Sequence, residues 1–127
     1  MSNPYFPEPR YFNVNFLPII GKNVSLVNTL LDCNAQITIG DNTSFGHDCM
    51  ILTGLHEMYK RGIERFSGSP CKPVIIGEGV WIASGVIICP GVVIGNNAVI
   101  GAGSIVTRDV KYDCFYAGNP ARFIKKI

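Results

Sequence analysis

The sequence predicts an all-β fold, a parallel β-helix built from hexapeptide repeats in which each face of a triangular rod takes one repeat. The main observation is an aliphatic residue every six positions, followed four positions later by a small or β-branched residue. A period of six fits neither an α-helix nor a single alternating strand. We expect both residues to face the interior and glycine to turn the corners. The aliphatic positions are Ile76, Ile82, Ile88, Ile94, Ile100 and Val106.

The same period occurs earlier in the chain, where Cys33, Ile39, Phe45 and Ile51 are six residues apart. A still earlier pair, Ile20 and Leu26, keeps the interval but is one residue out of step, so we predict an irregular corner near residues 28–32. Three repeats make one coil. The repeats therefore predict about four to five coils, each rising by the strand spacing of roughly 4.8 Å.

We expect a single domain over residues 1–127, with an extended N-terminal segment at 1–18, the β-helix at 19–111 and a C-terminal cap at 112–127. Residues 56–73 interrupt the period with polar, charged, glycine and proline residues, which predicts a loop that leaves one coil and returns. We predict a short helix over Ala121–Lys126, because Asn119 could cap it and Pro120 could take its first position. This helix would cover the open end of the rod.

Composition narrows the functional classes. The chain has 127 residues, of which 47% are hydrophobic, so there is room for one domain with an ample core. A net charge of +2 is too small for a nucleic-acid-binding surface, and no apolar run approaches a membrane span of roughly 18–20 residues. The first ten residues lack the layout of a signal peptide, and five cysteines without a CxxC pair make an awkward disulfide framework. We therefore expect no nucleic-acid or membrane partner and a cytoplasmic location.

Two histidines are available for chemistry. His56 stands where the repeat gives way to the polar loop, and this placement strengthens a functional interpretation against the common alternative of a packed or surface histidine. His47 lies in a turn and is expected to be a solvated corner. No spacing of histidine and cysteine suggests a metal site. Basic residues at Arg108, Arg122, Lys125 and Lys126 follow the last coils; they could be ordinary solubilising charges or an anion site for a phosphorylated ligand.

Several motifs in sequence give the chain a specific resemblance. They are Ile39-Gly-Asp-Asn42, Thr53-Gly-Leu-His56, Ile76-Gly-Glu-Gly-Val-Trp-Ile82, Cys89-Pro-Gly-Val-Val-Ile-Gly95, Ile100-Gly-Ala-Gly-Ser-Ile-Val-Thr-Arg-Asp109 and Ala117-Gly-Asn-Pro-Ala-Arg122. Over roughly Ile20–Ile127 the chain resembles the hexapeptide-repeat acetyltransferases of the galactoside and maltose O-acetyltransferase group. The resemblance implies a left-handed β-helix, a homotrimer with active sites between subunits, and acetyl-CoA bound along the groove between them.

The resemblance also implies roles for individual residues. His56 matches the catalytic histidine, and Ser84 matches the position whose backbone N–H faces the thioester carbonyl. On the acceptor side, Asn34 stands at a position that is acidic in the relatives, and Ser25 lies near the expected acceptor-contacting asparagine. The residues that match acetyl-CoA-contacting positions are Trp81, Ala102, Thr107, Arg108, Arg122 and Lys125.

The chemistry agrees with these roles, because a sugar hydroxyl needs a base as it attacks a thioester and neutral imidazole suits that task near pH 7. We therefore expect a direct, acetyl-CoA-dependent O-acetyltransferase acting on a carbohydrate hydroxyl. An N-acetyltransferase acting on an amino sugar or sugar nucleotide would share the fold and the donor. A non-catalytic scaffold is the third reading, and it would need neither the histidine before the loop nor the motifs on the acetyl-CoA side.

Overall fold

The computed structural model describes residues 7–68 and 70–127, which form a rod of three β-sheets, parallel throughout except for the last strand. The first face contains β1 (Arg10–Phe12), β3 (Leu30–Asp32), β6 (Met50–Ile51), β9 (Ile87–Ile88) and β12 (Ile105–Val106). The second face contains β2 (Ile19–Ile20), β4 (Ile37–Ile39), β7 (Val74–Ile76) and β10 (Val93–Ile94). The third face contains β5 (Ser44–Phe45), β8 (Trp81–Ile82), β11 (Val99–Ile100), β13 (Cys114–Gly118) and β14 (Ala121–Lys126). The predicted left-handed parallel β-helix is confirmed.

The chain visits the three faces in turn, so residues one coil apart stack in register. Ile82 pairs with Ile100 and Ile88 pairs with Val106, in each case eighteen positions along the chain. The repeating isoleucines from Ile76 to Ile100 are at most 1% exposed. Burying each of these side chains contributes about 1.5–3 kcal/mol, so the six-residue period is itself the core of the fold.

Small polar residues at the interior positions are all satisfied. Thr43 Oγ1 donates to the Gly77 carbonyl at 2.8 Å, and Ser104 Oγ donates to the Gly101 carbonyl at 2.6 Å. Both hydroxyls are fully buried, where an unpaired polar group would be costly. The Thr43 bond joins consecutive coils, and the Ser104 bond closes a corner within one coil.

The early coils carry the predicted irregularity. Leu26 and Leu31 are five residues apart, around a turn in which Val27 has φ 52°. Leu31, and not Cys33, pairs with Ile51 on the first face, although Cys33 also points inward and is fully buried. On the same face β1 already pairs with β3, so the ladder reaches into the segment expected to be extended. Residues 1–6 of that segment lie outside the described residues.

The protruding loop leaves the rod after Ile51 and returns at Val74. It contains a short 3-10 helix, Gly62–Phe66, and its two stems are tied by a bond from the Lys72 N–H to the Thr53 carbonyl at 2.9 Å. The edge between the first and second faces therefore accommodates the insertion while the coils on either side keep their pairing.

The predicted helix over Ala121–Lys126 is wrong: these residues form β14, which pairs antiparallel with β13. Six residues offer a helix few internal hydrogen bonds, whereas a strand beside β13 satisfies its backbone along the whole ladder. Gly118, at φ 109°, opens the turn through Asn119 and Pro120 that we had interpreted as a helix start. Phe123 then packs edge-to-face on Tyr116, with ring centroids 5.8 Å apart, at the end of the core.

Candidate active site

A polar cleft opens on the edge between the first and second faces, at the base of the protruding loop. It encloses about 390 Å³ and its lining includes Asn13, Asp32, Asn34, Gly54, His56 and Cys71. The structure thus brings together two predicted site residues, His56 and Asn34. The sequence interpretation missed Asn13 and Asp32 in this cleft. The loop also brings Cys71 to the cleft of His56.

The carboxylate of Asp32 is the centre of the hydrogen bonds in this cleft. Its Oδ1 accepts from Asn34 Nδ2 at 2.8 Å and from Asn13 Nδ2 at 3.1 Å. Its Oδ2 accepts from the backbone N–H groups of Gly54 at 3.1 Å and Thr53 at 3.4 Å. One half-buried carboxylate therefore holds two side-chain amides and the loop stem that leads to His56.

The side chain of His56 is exposed and meets an aromatic ring from the far side of its own loop. Phe66 lies edge-to-face against the imidazole, with ring centroids 5.0 Å apart and planes at 78°. The loop is closed by bonds from the Glu57 N–H to the Arg65 carbonyl and from Arg65 Nε to the Lys60 carbonyl, both at 3.1 Å. The imidazole is thus oriented by a loop with its own hydrogen-bonded structure.

A second groove, of about 530 Å³, runs along the outside of the third face. Its wall is the outward ladder of Trp81, Val99 and Phe115, which pair in sequence across β8, β11 and β13. Trp81 is 59% exposed, although it lies in a ladder of apolar side chains. Ala102 and Lys125 also line the groove. One apolar surface is therefore lined by three of the predicted acetyl-CoA-contacting residues: Trp81, Ala102 and, at its end, Lys125.

A β-bulge places two of the predicted anion-binding cations, Arg122 and Lys125, on the outside of the third face. Arg122 pairs with Ala117 and Lys125 pairs with Phe115, and the register shifts between these two pairs. Residues directly opposite each other in a ladder share a face, and Ala117 and Phe115 are two apart on one strand. Arg122 and Lys125 therefore both project to the outside of the third face. On a regular strand, residues three positions apart would point to opposite faces, and the bulge removes that difference.

The remaining predicted residues lie at other points of the rod. Ser84 is at the edge between the third and first faces, where its Oγ accepts from the backbone N–H of His47 at 3.0 Å. Thr107 and Arg108 follow β12 on the same edge as His56 and are exposed. Ser25 pairs with Ser44 on the third face and does not line the cleft with His56.

The predicted site is therefore split between two sides of a single rod. His56, Asn34, Thr107 and Arg108 follow strands of the first face, on the edge from which the loop leaves. The second set lies on the third face or on the edge that follows it: Ser25, Trp81, Ser84, Ala102, Arg122 and Lys125. One copy of the chain presents both halves of a site without joining them.

Three cysteines are poorly suited to act as nucleophiles. Burial raises the pKa of the Cys33, Cys49 and Cys89 thiols, with the Asp32 carboxylate adding to the effect at Cys33. A thiol with a raised pKa carries less of the reactive thiolate at neutral pH. Cys33, Cys49, Cys89 and Cys114 carry free thiols.

Within residues 7–68 and 70–127, no group of three or more histidine, cysteine or acidic residues is placed to hold a metal ion. In that same part of the chain, no helix has the length and apolar character needed to cross a membrane.

Comparisons with known proteins agree with this geometry. Residues 73–108 match the family model described as bacterial transferase hexapeptide (six repeats). Galactoside O-acetyltransferase of Escherichia coli K12 is 40% identical over 132 residues, an alignment covering 99% of this chain and 62% of that protein. The chain thus spans about three fifths of the length of this relative.

Two solved structures share the fold. A maltose O-acetyltransferase from Clostridium difficile 630 is 38% identical, with a TM-score of 0.85 over 94% of this chain and 64% of that one. A hexapeptide-repeat-containing acetyltransferase of Vibrio cholerae, solved with acetyl-CoA, is 32% identical, with a TM-score of 0.84 over 91% of this chain and 63% of that one. The predicted resemblance to the hexapeptide-repeat acetyltransferase family, with the galactoside and maltose O-acetyltransferases among its relatives, is confirmed.

Proposed function

We propose that the protein transfers an acetyl group from acetyl-CoA directly to a hydroxyl of a carbohydrate acceptor, with His56 as the general base. The observation that carries this proposal is the position of His56 in a polar cleft lined by the amide of Asn34 and the carboxylate of Asp32. A side-chain amide such as that of Asn34 both donates and accepts hydrogen bonds, which suits the hydroxyl groups of a sugar. The relatives named O-acetyltransferases support the reaction class.

The reaction requires two proton movements at His56. Its imidazole accepts the proton of the acceptor hydroxyl as the oxygen attacks the thioester carbonyl, and the resulting imidazolium returns that proton to the departing CoA thiolate. The backbone N–H of Ser84 would stabilise the negative oxygen of the tetrahedral intermediate. The acetyl group passes from sulfur to oxygen in this sequence, so no covalent acyl-enzyme is needed.

The groove on the third face fits the donor. The pantetheine arm is long, and the methylene and gem-dimethyl groups between its amides suit the ladder of Trp81, Val99 and Phe115, with Ala102 beside it. Arg122 and Lys125 would meet the phosphates at the nucleotide end, where charge-assisted hydrogen bonds are the strongest available contacts. Thr107 and Arg108 would complete the site from the edge that carries His56.

A homotrimer would join the two halves of the site. Threefold rotation of a triangular rod can set the His56 edge of one copy against the third face of the next. Mixing two inactive variants tests this arrangement. His56→Ala removes the base, and Ala102→Trp fills the donor groove; random mixed trimers should regain about one quarter of wild-type activity, the share of interfaces with both intact residues. No recovery after verified subunit exchange would place the whole site within one copy.

Incubation with acetyl-CoA and a panel of sugars, amino sugars and sugar nucleotides, followed by mass spectrometry, tests the reaction itself. Acetyl esters on a neutral sugar would support the proposal, because an ester is lost in mild base whereas an amide persists. A base-stable product confined to amino sugars would favour N-acetylation, and no product with any acceptor would favour a scaffold. The free thiols of Cys33, Cys49, Cys89 and Cys114 support a reducing compartment, and we propose the cytoplasm.

A further inference from the structure

We propose that Asp32 is a positioning residue of this reaction: it fixes the loop stem that carries His56 and orients the amides of Asn13 and Asn34 in the acceptor cleft. The inference rests on the proposed function for its kinetic test and on the geometry of the described residues for its argument. Asp32 does not act on the substrate directly; it acts through the groups that it holds.

The first support is the number and kind of donors around one side chain. Four N–H donors meet the Asp32 carboxylate, two from side-chain amides at Oδ1 and two from the backbone at Oδ2. An ionised carboxylate accepts through both oxygens and donates nothing, so it can satisfy all four. An asparagine of the same shape would turn its own NH₂ group toward one pair of donors and repel it.

The second support is how the contacts of Asp32 continue along the loop. Thr53 Oγ1 donates to the Asp32 carbonyl at 2.7 Å and accepts from the Ala35 N–H at 2.9 Å. The Thr53 carbonyl in turn accepts from the Lys72 N–H at 2.9 Å, on the returning stem. Asp32 therefore anchors the leaving stem at Thr53 and Gly54, which are three and two residues before His56. Through Thr53 it is also connected to the returning stem.

The third support is a contrast with the other corners of the rod. Asp41, on the edge between the second and third faces, accepts through Oδ1 from the Lys22 N–H at 2.8 Å and joins one coil to the next. That edge carries none of the predicted site residues. Asp41 shows what a corner aspartate does for the fold alone, so it provides a matched control for Asp32.

The kinetic test compares Asp32→Asn with Asp41→Asn, using the acceptor identified from the panel. Asp32→Asn should lower kcat/KM for the acceptor by about 10–100-fold, since a displaced catalytic group costs that much, while the Kd for acetyl-CoA changes less than about twofold. Asp41→Asn should leave kcat/KM within about twofold of wild type. Equal kinetic losses in the two variants, or a matching loss of acetyl-CoA affinity in Asp32→Asn, would overturn the proposal.

A double substitution separates the position of the carboxylate from its charge. Asp32→Asn with Asn34→Asp exchanges the two groups, so the cleft keeps its charge and an amide–carboxylate contact, but Gly54 and Thr53 lose the carboxylate. If Asp32 acts by anchoring the stem, the double variant should remain at least about tenfold below wild type in kcat/KM. Full recovery would mean that charge alone matters and would refute the anchoring role.

An activity-free readout keeps this inference separable from the proposed function. The chain has two histidines, so the imidazole NMR signals can be assigned with one His47→Gln variant. Asp32→Asn should shift or broaden the His56 signals and leave those of His47 in place, while Asp41→Asn should move neither. Unchanged His56 signals in Asp32→Asn would refute the positioning role even if wild type proved active. A wild-type protein without transferase activity would refute the proposed function and leave the NMR result to decide the role of Asp32.

Discussion

Replacing Arg122 and Lys125 on the third face should weaken the binding of the donor's nucleotide end and change little else. Arg122 and Lys125 share the outer face because the ladder shifts register between their partners. Both side chains are exposed, so each phosphate contact is screened by water and should contribute roughly 0.7 kcal/mol. Arg122→Ala with Lys125→Ala should therefore raise the KM for acetyl-CoA by about tenfold, the equivalent of about 1.4 kcal/mol.

The assay is steady-state kinetics with two donors at two salt concentrations. Turnover at saturating acetyl-CoA should stay near wild type, because the phosphate contacts exist equally in the ground and transition states. Acetyl-pantetheine lacks the nucleotide and should be nearly indifferent to the double substitution. The difference between wild type and variant should also shrink at high salt, where exposed charges are screened.

Lys126 supplies the matched control. It pairs with Cys114, whose side chain is buried, so Lys126 projects to the face opposite Lys125. Lys126→Ala should leave the KM for acetyl-CoA within about twofold of wild type. The reasoning would be refuted if Lys126→Ala raised the KM for acetyl-CoA as much as the double substitution does. It would also be refuted if the double substitution impaired the reactions with acetyl-CoA and acetyl-pantetheine equally, because Arg122 and Lys125 would then stabilise the fold and not bind the phosphates.

Four further predictions follow from the site. His56→Ala should lower kcat by about 10²–10⁴ with acetyl-CoA affinity retained by calorimetry, whereas His47→Ala should be close to neutral; full activity of the former would remove His56 from the mechanism. Phe66→Ala should lower kcat by about 3–10-fold, because the edge-to-face contact that orients His56 contributes about 0.5–1.5 kcal/mol, and Phe66→Tyr should restore it. Cys71→Ser should keep kcat within about threefold if transfer is direct, and a loss of 10² or more would point to an acyl-cysteine intermediate. Sedimentation should report three times the chain mass; an active monomer would contradict the shared site.

The repeat was readable because its physical cause is local. Each coil contacts only its neighbours, so Ile82 must be apolar for the same reason as Ile100, and the pattern repeats in the sequence as it does in space. The C-terminal segment was misread for the opposite reason. Asn119 and Pro120 can start a helix or turn a hairpin, and the choice depends on β13, a strand whose free edge no local pattern reveals.

The candidate site divides in the same way. His56 could be singled out because it stands where a regular pattern ends. The residues on the donor side were identified through the motifs on which the family resemblance rests. Asp32 and Asn13 were not predicted because they are 19 residues apart in sequence and become neighbours only when successive coils stack. The irregular turn at Val27 lies between them and disrupts the repeat that would have aligned them. Phe66 was missed because its contact with His56 depends on how the loop folds on itself.

The loop from Leu52 to Pro73 joins the rod at one edge through a few hydrogen bonds, while the core pairs above and below it without interruption. Its length and composition can therefore vary without a change in any buried isoleucine. The proposed acceptor cleft lies at the base of this loop, and the proposed acetyl-CoA groove lies on another face. Under the proposed function, natural selection, or a protein engineer exchanging loops between relatives, can change the acceptor of the acetyl group without changing the residues that bind the donor.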